Sequence, residues 1–112
     1  MPEEFVAIDL ETTGLNSAVD EITEIGATRF DRDGNTEQYE TLVNPGRLIP
    51  REIQKLTGIS DDAVANAPRF EKVASALTTF VGNRAVVGQN IKFDLTFLAR
   101  SGIEFPGPCY DA

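Results

Sequence analysis

Apolar residues recur at two spacings along this chain, and the changes of spacing mark its elements. Residues 5–10, FVAIDL, are mostly apolar and too short for a stable helix; Thr12, Thr13 and Gly14 follow, which predicts a buried strand breaking into a turn. Residues 22–31, ITEIGATRFD, set Ile22, Ala27 and Phe30 among polar neighbours. DRDGN at 31–35 then supplies Asp and Gly turn chemistry before TEQYETLV at 36–43, so three successive strands with a hairpin are the economical reading.

The spacing changes after NPGRLIP at 44–50, a loop with two prolines and a glycine. REIQKL follows Pro50 as a short helix that Gly58 ends, and Ser60 reads as the N-cap of a second short helix over about 61–66, cut at Pro68. From Phe70, the residues Val73, Ala74, Leu77, Phe80 and Val81 fall at helical spacing until Gly82, predicting an amphipathic helix. AVVG at 85–88 is a short buried strand. IKFDLTFLARSG puts Phe93, Phe97 and Leu98 on one helical side and stops at Gly102, and FPGPCYDA is loop or the start of another strand. Strands, helices, a strand and a helix predict an α/β domain with a mixed sheet.

Composition narrows the class only in part. The 112 residues suit a single domain, and 41% hydrophobic with 25% charged residues is ordinary for a soluble globular protein. One cysteine, Cys109, closes no internal disulfide and fits a reducing compartment; with neither a leader nor a spanning segment legible, the expectation is a cytoplasmic protein with no membrane contact. A net charge of -8 weighs against electrostatic gripping of nucleic acid, and the absence of histidine removes the commonest general base near neutral pH.

Against that background, Asp9 and Glu11 interrupt an apolar strand. With a period of two they share one face while Ile8 and Leu10 share the other, so two carboxylates sit close together. Like charges that close raise one another's pKa unless a cation neutralises them, which makes the pair a reasonable hard-metal ligand set; the plain alternative is a strand end whose acids face water. Asp94, between Phe93 and Leu95, is either a third ligand or an exposed helix position.

The segments DLETTGL at 9–15, EIGATRF at 24–30, KLTGIS at 55–60 and GQNIKFDLTFL at 88–98, in this order, resemble the DEDD-type 3′-to-5′ exonuclease domain, the DnaQ-like family with a ribonuclease H-like fold. Within that family the likeness is to the proofreading domain of PolC-type polymerases and the exonuclease domain of DinG-like helicases. The resemblance implies a ribonuclease H-like mixed sheet with flanking helices, with Asp9, Glu11 and Asp94 as catalytic ligands of two divalent cations, Mg²⁺ or Mn²⁺. It implies that Thr12, Thr13, Gly14 and Leu15 receive the 3′-terminal nucleotide of single-stranded DNA, Leu15 wedging against the last base unless it simply packs inward. Gln89 and Asn90 are implied substrate contacts, with Asn90 also read as the cap of the following helix; Phe93 and Phe97 read as core packing that steadies Asp94.

The family carries a later third motif in which a histidine acts as general base and an aspartate completes the metal site. Neither has a match here, and Asp111 falls where the helix bearing that motif would open. Residues 1–112 are therefore expected to form one incomplete exonuclease domain, its C-terminal part missing, weak or inactive alone. A polymerase or helicase partner, or a continuation of the chain, is expected. Two other readings remain: a non-catalytic protein-binding module that keeps the fold, and an exonuclease that trims RNA.

Overall fold

A computed structural model describes residues 3–112. In chain order these form β1 (Glu4–Thr12), β2 (Ile22–Asp31), β3 (Thr36–Leu42), α1 (Arg51–Thr57), α2 (Asp61–Val64), α3 (Phe70–Val81), β4 (Ala85–Gly88), α4 (Ile91–Arg100) and β5 (Cys109–Asp111). The strands make one mixed sheet in the order β3-β2-β1-β4-β5. β1 and β3 run antiparallel to β2, while β4 lies parallel to both β1 and β5. A parallel neighbour needs a crossover, and the β4–α4–β5 unit supplies one with a single helix.

Alternation along β1 decides which face is covered. Val6, Ile8 and Leu10 are buried with their cross-strand partners Ala27 and Ile25, and they pack in one core with Val73, Leu77 and Val81 of α3 and Ile91, Phe97 and Leu98 of α4. Burying side chains of this size contributes about 1.5–3 kcal/mol each. Phe5, Ala7 and Glu11 point the other way and are half-buried; Asp9, in the same row, is exposed. On that face Phe5 stacks on Phe30 with ring centroids 5.6 Å apart. A smaller cluster of Ile49, Ile59 and Val64 supports α1 and α2 beside Leu42 and Ile53.

Two predicted boundaries move. The first strand takes in Thr12 before it breaks: Thr12 is the last residue of β1, and the pairing slips between Glu11 and Thr12, leaving Thr23 as an extra residue on β2. The second short helix ends at Val64 rather than near residue 66, although Ala65 keeps helical dihedrals of φ -56° and ψ -38°. Ser60 caps α2 as expected, its side chain accepting a hydrogen bond from the Ala63 N–H at 3.1 Å. No helix among the described residues is long and apolar enough to cross a membrane.

Candidate active site

The sheet brings the separated acids to one end of β1. Asp9 and Glu11 share a face as their spacing requires, and Glu11 lies directly across from Glu24 of β2, whose row continues to Glu40 of β3 beside Gly26. Opposed like charges on neighbouring strands are unfavourable. The effect is visible in their acidity: burial, then the Asp9 and Glu24 carboxylates, push the Glu11 carboxyl up, and burial with Glu40 and Asp9 does the same to Glu24.

Asp94 joins them from the first turn of α4. It is only 4% exposed, an uncommon position for an aspartate without a paired cation. Burial, then the Asp9 carboxylate, raises its carboxyl to about 7; Glu11 adds to the rise and a hydrogen bond from the Leu10 backbone offsets part of it. Asp94 therefore lies within the electrostatic reach of both strand acids. Among the described residues no three His, Cys, Asp or Glu side chains are gathered into a ready metal cage, so the three acids feel one another's charge without converging on a point.

The start of α4 corrects one expectation. Asn90 occupies the N-cap position, yet its side chain makes no capping hydrogen bond; its backbone is left-handed instead, with φ 53° and ψ 49°. Asparagine tolerates that region better than most residues, so here it turns the chain from β4 into α4. The cap comes from Asp111, whose Oδ1 accepts a hydrogen bond from the Ile91 N–H at 2.7 Å. Asp111 thus belongs to β5 and caps the start of α4. Gln89 and Asn90 are both exposed beside this turn.

A cavity of about 160 Å³ adjoins Glu11, lined also by Leu10, Thr12, Gly14, Leu15, Ile53, Leu56, Thr57 and Phe93. Leu15 does not pack inward: it is 85% exposed, as is Leu56 to 81%. The Thr12 hydroxyl donates to the Gly14 carbonyl at 2.6 Å, tightening the loop. Thr13 is placed behind the cavity rather than in its wall. It is buried, its hydroxyl donating to Asp20 at 2.9 Å and accepting from the Glu21 N–H at 3.1 Å. Ile53 of α1 was not singled out from the sequence, and Leu56 and Thr57 stood there only within the motif KLTGIS; Phe93, read there as core packing, is a half-buried wall of the cavity that also touches Phe97, ring centroids 4.9 Å apart. A larger cavity of about 570 Å³, lined by residues including Glu21, Asn44, Arg69 and Arg100, contains none of the candidate acids and lies apart from this chemistry.

Comparison with known proteins bears on the family and the fold. DNA polymerase III subunit epsilon of Treponema pallidum is 43% identical over 94 residues, covering 84% of this chain and 44% of that protein. The PolC-type DNA polymerase III of Thermotoga petrophila is 39% identical over 94 residues, 84% of this chain and 7% of that one. Exonuclease X, solved in complex with 5′ overhanging duplex DNA, superimposes with a TM-score of 0.76 at 28% identity, covering 94% of this chain and 57% of that one. Product-bound exonuclease I gives 0.81 at 19% identity over 99% of this chain and 30% of its own, a likeness of fold. The chain thus spans about half the length of the epsilon relative and a small part of the PolC one, and its mixed sheet with flanking helices is the ribonuclease H-like fold of these exonucleases. Since the exonuclease family model RNase_T matches residues 6–107, a stretch that holds Asp9, Glu11 and Asp94, the chain belongs to the RNase_T exonuclease family.

Proposed function

We propose that this chain contributes the metal-binding acids and the terminal-nucleotide cavity of a 3′-to-5′ exonuclease that trims single-stranded DNA ends in replication or repair. The observation that carries the reading is Asp94: a buried carboxyl raised to about 7 by its surroundings, among them Asp9 and Glu11, next in sequence to Phe93, which lines the same cavity as Glu11. The donor chemistry fits divalent cations, because hard carboxylate oxygens suit Mg²⁺ or Mn²⁺ and the cluster's unrelieved repulsion is what a cation would neutralise. Asp9, Glu11 and Asp94 would hold two such ions, which when bound supply charge stabilisation and an activated water for phosphodiester hydrolysis.

The chain's own residues divide the remaining work. Leu15 and Leu56, both exposed at the cavity mouth, flank the terminal base, and the tight turn at Thr12 and Gly14 brings backbone close to the sugar. Phe93 closes the wall on the α4 side. The sequence offers no histidine to accept a proton from water, so turnover by these 112 residues alone falls below that of a histidine-bearing relative by a factor on the order of 10² to 10⁴. The polymerase III relatives support a polymerase as the partner of the whole protein.

Digestion of a 5′-labelled single-stranded oligonucleotide in Mn²⁺ tests the proposal. Slow shortening from the 3′ end, lost in Asp94→Ala and in chelator, is expected. Digestion that survives Asp94→Ala would overturn it, as would equal cleavage of a substrate with a blocked 3′ end.

A further inference from the structure

Three walls from distant parts of the chain form the small cavity: the loop after β1, α1, and α4. The loop is tied to the other two by arginines that line none of it. Arg100, the last residue of α4, donates to the Ala18 carbonyl at 3.1 Å, to the Asp20 carbonyl at 2.9 Å and to the Glu21 carboxylate at 2.7 Å. Arg47, on the segment leading into α1, donates to the Val19 carbonyl at 2.8 Å and lies 3.8 Å from the Asp20 carboxylate. Three consecutive carbonyls, Ala18, Val19 and Asp20, are therefore held by two guanidinium groups from the elements that form the opposite walls.

The loop passes this restraint inward through Asp20. Its carboxylate accepts from the Thr13 hydroxyl at 2.9 Å and from the Asn16 N–H at 3.0 Å, and a Cβ at Gly14 would strike it. Residues 13–20 are closed as a unit around that one side chain, and Gly14 and Leu15 on its inner side face the cavity. An exposed ion pair by itself contributes little, but a planar guanidinium serving two carbonyls and a carboxylate fixes geometry in a way an ammonium cannot.

We propose that Arg100 and Arg47 are positioning residues that set the spacing of the three walls and so determine how tightly the terminal nucleotide is held. This rests on the reading of the cavity as the site of that nucleotide. Arg100 also links the substrate loop to the helix that carries Asp94, so nucleotide loop and acid helix move together.

The test is titration of the ¹⁵N-labelled full chain with dTMP in Mg²⁺, followed by amide shifts of Leu15, Thr57 and Phe93, for wild type, Arg100→Gln, Arg100→Lys and Arg47→Gln. Thermal midpoints recorded alongside report on folding. Loss of charge-assisted hydrogen bonds is expected to weaken dTMP about tenfold in Arg100→Gln and several-fold in Arg47→Gln, with the fold retained. Arg100→Lys, which keeps a cation beside Glu21, is expected to recover part of the affinity. Should Arg100→Gln fail to fold, the other two variants carry the comparison. Undiminished dTMP affinity in the variants would overturn the positioning role alone. Absence of any dTMP-induced shift at the three reporters in wild type would overturn the nucleotide reading and this proposal with it.

Discussion

The carboxylate of Asp111 on β5 caps the first turn of α4 by accepting the Ile91 N–H at 2.7 Å, so the last described strand fixes the start of the helix that carries Asp94. Asp94 lies three residues beyond Ile91, and any fraying of that turn moves it.

Removing this cap has a measurable cost. Asp111→Ala is expected to lower stability by about 0.5–2 kcal/mol, read from urea unfolding, and Asp111→Asn by less, since an amide oxygen still accepts the bond. Equal losses for the two variants would mean that the carboxylate's charge, rather than the hydrogen bond, is what matters.

Acidity gives a second prediction. The Asp94 carboxyl titrates near 7 when folded and near the ordinary aspartate value of 3.8 when unfolded, so between these pH values the folded state holds the proton that the unfolded state has lost. Stability in chelator therefore falls as pH rises from about 4 to about 7, by at most about 1.4 kcal/mol per pH unit, and levels off above. Asp94→Asn should flatten this slope and be more stable than wild type at pH 7.5 without metal. A slope unchanged in Asp94→Asn would assign it to other groups.

The exposed leucines separate binding from folding. Leu56→Ala is expected to leave the thermal midpoint nearly unchanged, because the side chain is 81% exposed, while weakening a 3′-ended oligonucleotide by about 1 kcal/mol or more. Fluorescence anisotropy with a labelled oligonucleotide measures it, and an unchanged affinity would remove α1 from the site.

Core packing behind the acids makes the contrasting case. Phe97 is fully buried and touches Phe93 in the cavity wall. Phe97→Ala should cost about 3–5 kcal/mol by leaving a void, and calorimetry should show a large fall in midpoint with activity lost in proportion to folding.

Much of this was legible from spacing. The amphipathic run from Phe70 to Val81, the strand AVVG and the helix bearing Asp94 follow from periodicity, because core burial is what periodicity records. The period-two argument also placed Asp9 and Glu11 on one face correctly. What escaped has physical reasons. Thr12 and Thr13 look like turn residues facing water, yet both are buried, their hydroxyls satisfied by the Gly14 carbonyl and by Asp20. Asn90 looks like a cap, but the cap is a carboxylate 20 residues away in sequence from the amide it serves, and local pattern carries no trace of it. Leu56 stood in the motif KLTGIS without a role until the fold set α1 and Leu15 on one cavity. The acid row extending to Glu24 and Glu40 required the strand register, although Glu24 already stood in the motif EIGATRF.

The central claim is that Asp9, Glu11 and Asp94 share bound cations. A crystal of this chain soaked in Mn²⁺, measured for anomalous scattering, tests it most directly. The account predicts a strong peak with carboxylate oxygens of all three residues within about 2.0–2.3 Å, absent in Asp94→Asn. Manganese bound by Asp9 and Glu24 or Glu40 with Asp94 left out, or no peak near β1 at all, would contradict it.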